Sequence, residues 1–296
     1  MTEPADYVAA TVAELLRASA LPPLEARILL GHALGWRRTE LITRADQTLA
    51  AEAVAAWRAL EARRAAGEPV AQLVGAREFY GLDFEVTPHV LIPRPETELL
   101  VETALAALAG VAEPRVLDLG TGTGAIAVAL AYARPDARVW AIDRSGEALQ
   151  VALRNVARLV EPTRPGGSLT VLQSDWYAAL DPVLRFDIIV SNPPYIASGD
   201  PHLEQGDLRF EPRGALTDEA DGLSAIRAIV ANAPDWLAAH GALWIEHGYD
   251  QAAAVRALLS GRGFASVRSE CDLAGIERIS GGMFSGDMQA LRVADR

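Results

Sequence analysis

Asp118-Leu119-Gly120-Thr121-Gly122-Thr123-Gly124 stands between an apolar run, Arg115–Leu119, and a helical pattern, Ala125–Ala133. Glycines let a chain turn tightly after a strand and come close to a ligand. The helix after the loop then offers its free N–H groups to a negative group. The next apolar run, Arg138–Ile142, ends at Asp143, 19 residues after Gly124. A carboxylate there can accept hydrogen bonds from both hydroxyls of a ribose. Loop and carboxylate together point to a nucleotide-like ligand. Gly120, Gly122 and Ala125 also satisfy the loose dinucleotide pattern, so a nicotinamide-dependent dehydrogenase is one reading of this stretch alone.

Further short apolar runs lie at Leu169–Gln173, Phe186–Ser191 and Ala242–Glu246, and helical patterns separate most of them. Such alternation predicts an α/β fold, a parallel sheet with helices on both faces. Ala265–Cys271 and Met288–Ala294 read as two strands with no helix between them, hence an antiparallel edge. Pro162–Gly167 has the composition of a surface loop.

Ahead of this alternation the pattern is helical, and residues 1–78 are predicted to form a helical domain. Val8, Val12, Leu15 and Leu16 share one helical face. Leu24, Ile28, Leu29 and Leu34 share another, after Pro22-Pro23. A third helix is expected from Ala50 to Ala66, ended by Gly67 and Pro69. The domain serves either to dock a substrate or to stabilise the domain after it. Residues 79–93 read as a β-hairpin linker, with strands in Phe79–Val86 and Val90–Ile92 and turns at Gly81 and Pro88-His89. Residues 94–296 are the expected catalytic domain, opening with a helix near Glu96 after Pro93-Arg94-Pro95.

Composition narrows the classes. The formal net charge is −12, which gives no general attraction to a phosphate backbone and leans toward a protein or small-molecule substrate. A lone cysteine, Cys271, allows no intrachain disulfide and suits a reducing cytoplasm. No stretch has the ~20 apolar residues of a membrane span. The N-terminal stretch carries Glu3, Asp6 and Glu14, unlike a secretory signal. His32, His89, His202 and His240 have no metal-ligand spacing, and no metal is expected. His247 reads as a hydrogen-bonded structural residue and Arg63-Arg64 as solvated surface. Ala197–Asp221 is long and polar, expected to border a substrate entrance with no role for a single residue.

Asp118 and the third glycine, Gly124, resemble the loop of class I methyltransferases, in which it meets the methionine end of S-adenosyl-L-methionine. Ser174-Asp175-Trp176 follows the third strand, where Trp176 can lie against an adenine ring. Asn192-Pro193-Pro194-Tyr195, directly after the fourth strand, then acquires a chemical meaning. An amide nitrogen is a poor nucleophile because its lone pair is delocalised. The Asn192 side-chain oxygen can accept one of its N–H groups and the Pro193 carbonyl the other, which aims the lone pair at a methyl group. Two prolines stiffen the turn, and Tyr195 can pack against a planar group.

Nearly the whole chain resembles the release factor glutamine methyltransferase family, PrmC or HemK. The resemblance rests on Glu68-Pro69-Val70 with Leu73 and Gly75, Phe79–Phe84, and above all Val90-Leu91-Ile92-Pro93-Arg94-Pro95-Glu96-Thr97-Glu98. Val116–Ala129, Ser174–Trp176, Phe186–Ile196, Glu211-Pro212 and Glu246-His247-Gly248 agree with it. It implies a seven-stranded class I S-adenosylmethionine-dependent methyltransferase fold with a helical N-terminal domain that helps dock the substrate. That substrate is the glutamine of the Gly-Gly-Gln motif in bacterial peptide chain release factors. It implies cofactor binding by Gly120, Thr121, Gly122, Thr123, Gly124, Asp143, Trp176 and Asn192, and a glutamine pocket of Asn192, Pro193, Pro194 and Tyr195. A cytoplasmic monomer that binds no nucleic acid directly is expected. Asn192–Tyr195 alone also fits a ribosomal-protein glutamine methyltransferase or a DNA adenine-amino methyltransferase acting on a flipped base. Arg144 departs from the small or acidic residue expected after Asp143.

Overall fold

A computed structural model describes residues 10–160 and 166–285, so Val8, most of the Pro162–Gly167 loop and the Met288–Ala294 strand expectation lie outside the described residues. The chain divides into two compact units, Met1–Ala76 and Arg77–Arg296, a boundary slightly earlier than residue 78.

The first unit is helical: α1 (Val12–Ala18), α2 (Pro23–Leu34), α3 (Arg38–Thr43), α4 (Ala51–Ala65) and α5 (Val70–Val74). Thr11 and Glu14 close a reciprocal capping box at the start of α1. Val12, Leu15, Leu29, Leu30, Val54 and Trp57 form its core. The predicted face of α2 holds at Leu29 and Leu34, which pack on this core, and is corrected at its other two residues. Leu24 and Ile28 are exposed, while Ala26, Leu29 and Leu30 are buried at the i, i+3, i+4 spacing. Arg64 is not solvated surface either: its guanidinium makes two hydrogen bonds to the Glu25 carboxylate, at 2.6 and 3.1 Å, and so ties α4 to α2.

The hairpin is β1 (Ala76–Phe79) and β2 (Leu82–Glu85). Tyr80 and Gly81 both have positive φ, 53° and 75°, as a two-residue type I′ turn demands. Val90–Ile92 forms no strand. Nor is the hairpin a free linker, because Phe79 and Phe84 are buried in the core of the second unit. Asn155 binds both sides of Glu85's backbone (Glu85 N–H to Oδ1 2.7 Å, Nδ2 to Glu85 O 3.1 Å) and also reaches the Thr123 carbonyl at 3.0 Å. The hairpin thereby braces the glycine loop.

After a short 3-10 turn at Pro95–Thr97 and α6 (Glu98–Ala107), the main sheet begins. Its strands are β3 (Arg115–Leu119), β4 (Arg138–Asp143), β5 (Ser168–Gln173), β6 (Phe186–Ser191), β7 (Leu237–Glu246), β8 (Phe264–Cys271) and β9 (Glu277–Phe284). Their order is β5-β4-β3-β6-β7-β9-β8; the first five are parallel, and β9 runs antiparallel to both β7 and β8. Helices α7 (Ala125–Ala133), α8 (Gly146–Leu159), α9 (Arg213–Leu216), α10 (Ser224–Asn232) and α11 (Ala252–Gly261) complete the unit. Val116 and Ile188 face the core shared with α6 and α7, whereas Leu117 and Ile189 face the core shared with α10 and α11. Burial on both faces explains why the strands read as continuous apolar runs.

The antiparallel edge is present, but β8 pairs with Glu277–Phe284, which strand propensity does not reveal. Ser280-Gly281-Gly282 looks like a turn. Packing explains the glycine: a Cβ on Gly281 would lie 2.3 Å from the Trp244 ring on β7.

Candidate active site

Register builds the site. Leu119 of β3 pairs with Ser191 of β6, so Gly120 and Asn192 are the first residues past two adjacent parallel strands. From β3 the chain builds outward through β4 and β5, then returns to β6 on the other side. The crevice between the ends of β3 and β6 is therefore the switch point where open α/β sheets bind ligands. A Cβ on Gly120 would be 3.8 Å from the Trp176 ring and 4.0 Å from the Asn192 backbone oxygen.

Backbone geometry shapes the β3 side. Gly120, Gly122 and Gly124 have φ of 74°, 54° and 81°, the left-handed region that side chains disfavour. The N–H groups of Gly120 and Thr121 both donate to Ile142 O at 2.8 Å. The Asp143 carboxylate accepts from Gly122 N–H and Ser145 N–H, each at 2.9 Å. Those bonds fix its orientation and use about half of its roughly four acceptor positions. Asp118 is fully buried. One oxygen accepts from the Thr121 hydroxyl at 2.6 Å, the other has no partner, and burial pushes its pKa up to about 7.

A cavity of about 310 Å3 opens here, within the range of cofactor sites. Gly120, Thr121, Gly122, Thr123, Asp143, Trp176, Asn192 and Pro194 line it. Three expected residues do not. Gly124 lies behind the loop, where an added Cβ would meet Ala152 at 3.4 Å. Pro193 is buried. Tyr195 turns its hydroxyl to Glu246 Oε1, 3.3 Å away.

Side chains hold the β6 side. Ser191 donates to Leu119 O at 2.7 Å. Asn192 Nδ2 donates to Thr97 Oγ1 at 3.1 Å, which leaves Asn192 Oδ1 as its open acceptor. Gln251 Nε2 donates to the Tyr195 carbonyl at 2.9 Å, pinning the turn from behind. Glu246 is fully buried; burial pushes its pKa up to about 7 against the pull of the Thr97 and Tyr195 hydroxyls.

Sequence reasoning assigns no role to four residues beside these, although all four stand in stretches that carry the family resemblance. Glu211, inside the segment expected to lack any single important residue, accepts from Ile92 N–H at 3.2 Å and from the Arg94 guanidinium. It joins the segment before α6 to the loop before α9, and Arg94 and Pro212 line the cavity. Thr97 and Glu246 complete the set. The Pro93–Glu98 signature marks the right stretch for Arg94 and Thr97, but no local pattern links Glu211 or Glu246 to it. His247 is structural as expected: its ring nitrogens meet Gly248 O and Ser280 Oγ at 2.9 and 2.8 Å, and burial lowers its pKa.

Residues 8–75 match the family described as "PrmC N-terminal domain", and residues 95–206 match "Methyltransferase small domain". The chain is 70% identical over 277 residues to a release factor glutamine methyltransferase of Burkholderia pseudomallei, covering 94% of this chain and 97% of that one. The chain belongs to the release factor glutamine methyltransferase family. Another member, from Neisseria gonorrhoeae, is 50% identical across 93% of this chain and 98% of its own. The family's methyltransferase fold extends to the catalytic domain of hMettl16, solved in complex with MAT2A 3'UTR hairpin 1. That likeness has a TM-score of 0.57 at 16% identity, covering 77% of this chain and 82% of the other, and bears on fold alone. Among the described residues of this methyltransferase, no helix is long and apolar enough to cross a membrane.

Proposed function

We propose that this enzyme transfers the methyl group of S-adenosylmethionine to the side-chain amide nitrogen of the glutamine in the Gly-Gly-Gln motif of bacterial class-I release factors. One observation carries the chemistry: Asn192 lines the cavity with one N–H of its amide held by Thr97, and its Oδ1 is an acceptor available to a substrate N–H there.

The residues at hand suit the cofactor. Asp143 retains acceptor capacity for ribose hydroxyls after its two backbone bonds. At Gly120 and Gly122 the loop has no Cβ to crowd a ligand, and Trp176 offers a flat apolar wall. When bound, the cofactor supplies an electrophilic methyl group. The protein supplies approach geometry. Asn192 Oδ1 accepts one amide N–H and the Pro193 carbonyl the other, which directs the nitrogen lone pair away from both acceptors. Pro193 and Pro194 keep that turn stiff, and Gln251 holds it from behind, so the acceptors need no rearrangement during reaction. Pro194 lines the pocket for the planar amide, and Tyr195 supports it from behind through its bond to Glu246. No strong base is required, because the nitrogen becomes acidic as the new bond forms.

The helical unit docks the release factor, and the enzyme works as a cytoplasmic monomer. Its net charge of −12 supports a protein substrate over a nucleic acid. Labelled S-adenosylmethionine with a purified release factor, beside the same factor with its motif glutamine changed to alanine, tests the reading. Label on the first factor alone is expected. Label on neither, with transfer to a ribosomal protein or to DNA, overturns the substrate.

A further inference from the structure

One short segment of the catalytic unit is a wall between two cavities. Within residues 211–216, Pro212, Gly214 and Ala215 line the cavity described above, whereas Glu211, Arg213 and Leu216 line a second one of about 350 Å3. Open space on two sides means that packing alone does not fix this segment. Gly214 and Arg144 line the first cavity and are also exposed to solvent, which puts them at its mouth.

Contacts to three different segments hold it. Glu211, its side chain wholly buried, accepts from Ile92 N–H at 3.2 Å and from the Arg94 guanidinium. Arg144, the residue after Asp143, reaches across the mouth and donates to Gly214 O at 3.4 Å. Gln173 Nε2 steadies the Arg144 backbone by donating to its carbonyl at 3.0 Å. Ile196 N–H, next to Tyr195, donates to Leu216 O at 3.0 Å. The fit is closest at Gly214, where a Cβ would lie 2.8 Å from Arg144 Nη2. The Arg94–Glu211 pair is the strongest of these side-chain ties, being charge-assisted and shielded from water at the carboxylate. The bond from Arg144 is long and exposed, and so weaker.

We infer that residues 211–216 are a strap across the mouth of the cofactor cavity, held shut by Arg94 and Arg144, and that its opening sets how fast S-adenosylmethionine leaves. The inference rests on the reading of this cavity as the cofactor's. It makes Glu211 a positioning residue, in a role that the acceptor chemistry at Asn192 does not require. A ligand that passes the strap must separate it from the rim of the cavity. That separation breaks the Arg94–Glu211 pair and the Arg144 bond, and the second cavity gives the strap room to move.

The test reads the dissociation rate of S-adenosylmethionine from the full-length enzyme by stopped-flow tryptophan fluorescence, since Trp176 lines the cavity. Glu211→Gln keeps the shape and an acceptor for Ile92 N–H but removes the charge that holds Arg94. Dissociation should quicken about tenfold, as for loss of one charge-assisted hydrogen bond. The cofactor's KM should rise while kcat at saturating cofactor stays within about twofold. Arg94→Lys, which keeps the charge, should fall between Glu211→Gln and wild type. Gly214→Ala displaces the Arg144 guanidinium without left-handed strain, because Gly214 has no positive φ. It should quicken dissociation about two- to threefold, as for an exposed contact. Wild-type dissociation in Glu211→Gln, or in Gly214→Ala should Glu211→Gln not fold, overturns the strap. So does a Glu211→Gln variant whose kcat falls while its dissociation rate stays, which would make Glu211 part of the framework only. These rates are read without release factor, so they stand apart from the identity of the methyl acceptor. An Asp143→Ala variant with wild-type affinity would instead take the cofactor out of this cavity, and the strap with it.

Discussion

The turns after β3 and β6 face each other across one crevice yet are held by different means. The β3 turn is a backbone construction. Its three positive-φ glycines, its N–H bonds to Ile142 O and its anchor on Asp143 all lie within 26 residues, 118 to 143. The β6 turn is a side-chain construction. Asn192 is held by Thr97, Tyr195 by Glu246 and Gln251, and the partners lie 51 to 95 positions away in sequence. A backbone-built loop tolerates few substitutions at its glycines and takes its distant support from one side chain, Asn155 at the Thr123 carbonyl. A side-chain-built turn can place an acceptor at one spot and depends on every partner being satisfied.

The largest effect expected from breaking this contrast is at the β6 turn. Asn192→Ala should slow methyl transfer by about a hundredfold or more, as for loss of one preorganised polar partner. Its melting temperature should change little. Turnover at the wild-type rate would remove Asn192 from the chemistry.

Next is the anchor of the β3 turn. Asp143→Ala should weaken S-adenosylmethionine binding roughly tenfold or more, because two backbone N–H groups lose their acceptor and the ribose loses its own. Asp143→Asn keeps one acceptor and should fall between alanine and wild type. Titration calorimetry decides this, and equal affinities across the three would detach Asp143 from the ribose.

Gly124→Ala sharpens the comparison from the backbone side. The position has φ of 81°, and its new Cβ would touch Ala152 at 3.4 Å. The variant should lose about 1 kcal/mol of stability from left-handed strain, seen in denaturant unfolding, and an unchanged midpoint would show that the loop adjusts freely.

The smallest effect concerns pH. Glu246 has a folded pKa near 7, raised by burial from an ordinary carboxyl value. Between those values the folded state binds more protons than the unfolded one, so this group's contribution to stability is present at acid pH and is lost as pH rises through about 7. Glu246→Gln cannot ionise and escapes that loss. Its stability relative to wild type should therefore improve from pH 5 to pH 8 in unfolding titrations. A difference that does not vary with pH would show that Glu246 titrates near its ordinary value.

The legibility of the site follows the same division. The β3 loop, its helix Ala125–Ala133 and the strands at Arg115–Leu119 and Phe186–Ser191 are plain in the sequence, because glycine conformation and apolar runs are local signals. The sequence pattern is right for α2 at Leu29 and Leu34 but adds Leu24 and Ile28, apolar residues left in solvent, which hydrophobic pattern cannot distinguish from core. β9 is hidden because its glycines answer to neighbouring strands, Gly281 to Trp244 of β7 and Gly282 to Phe264, Ala265 and Val267 of β8. Val90 and Ile92 mimic a strand because they are buried without pairing.

By itself the sequence determined the alternating sheet, the glycine loop with its carboxylate, and the asparagine turn, since each is written in neighbouring residues. Only the tertiary structure decided which of those residues face the cavity and which stand behind it. It alone joined Glu211 to Arg94, and Glu246 and Thr97 to the turn that carries Asn192. Hydrogen bonds between side chains have no sequence period. They exist only where strand register and burial bring a spare proton to an unpaired acceptor.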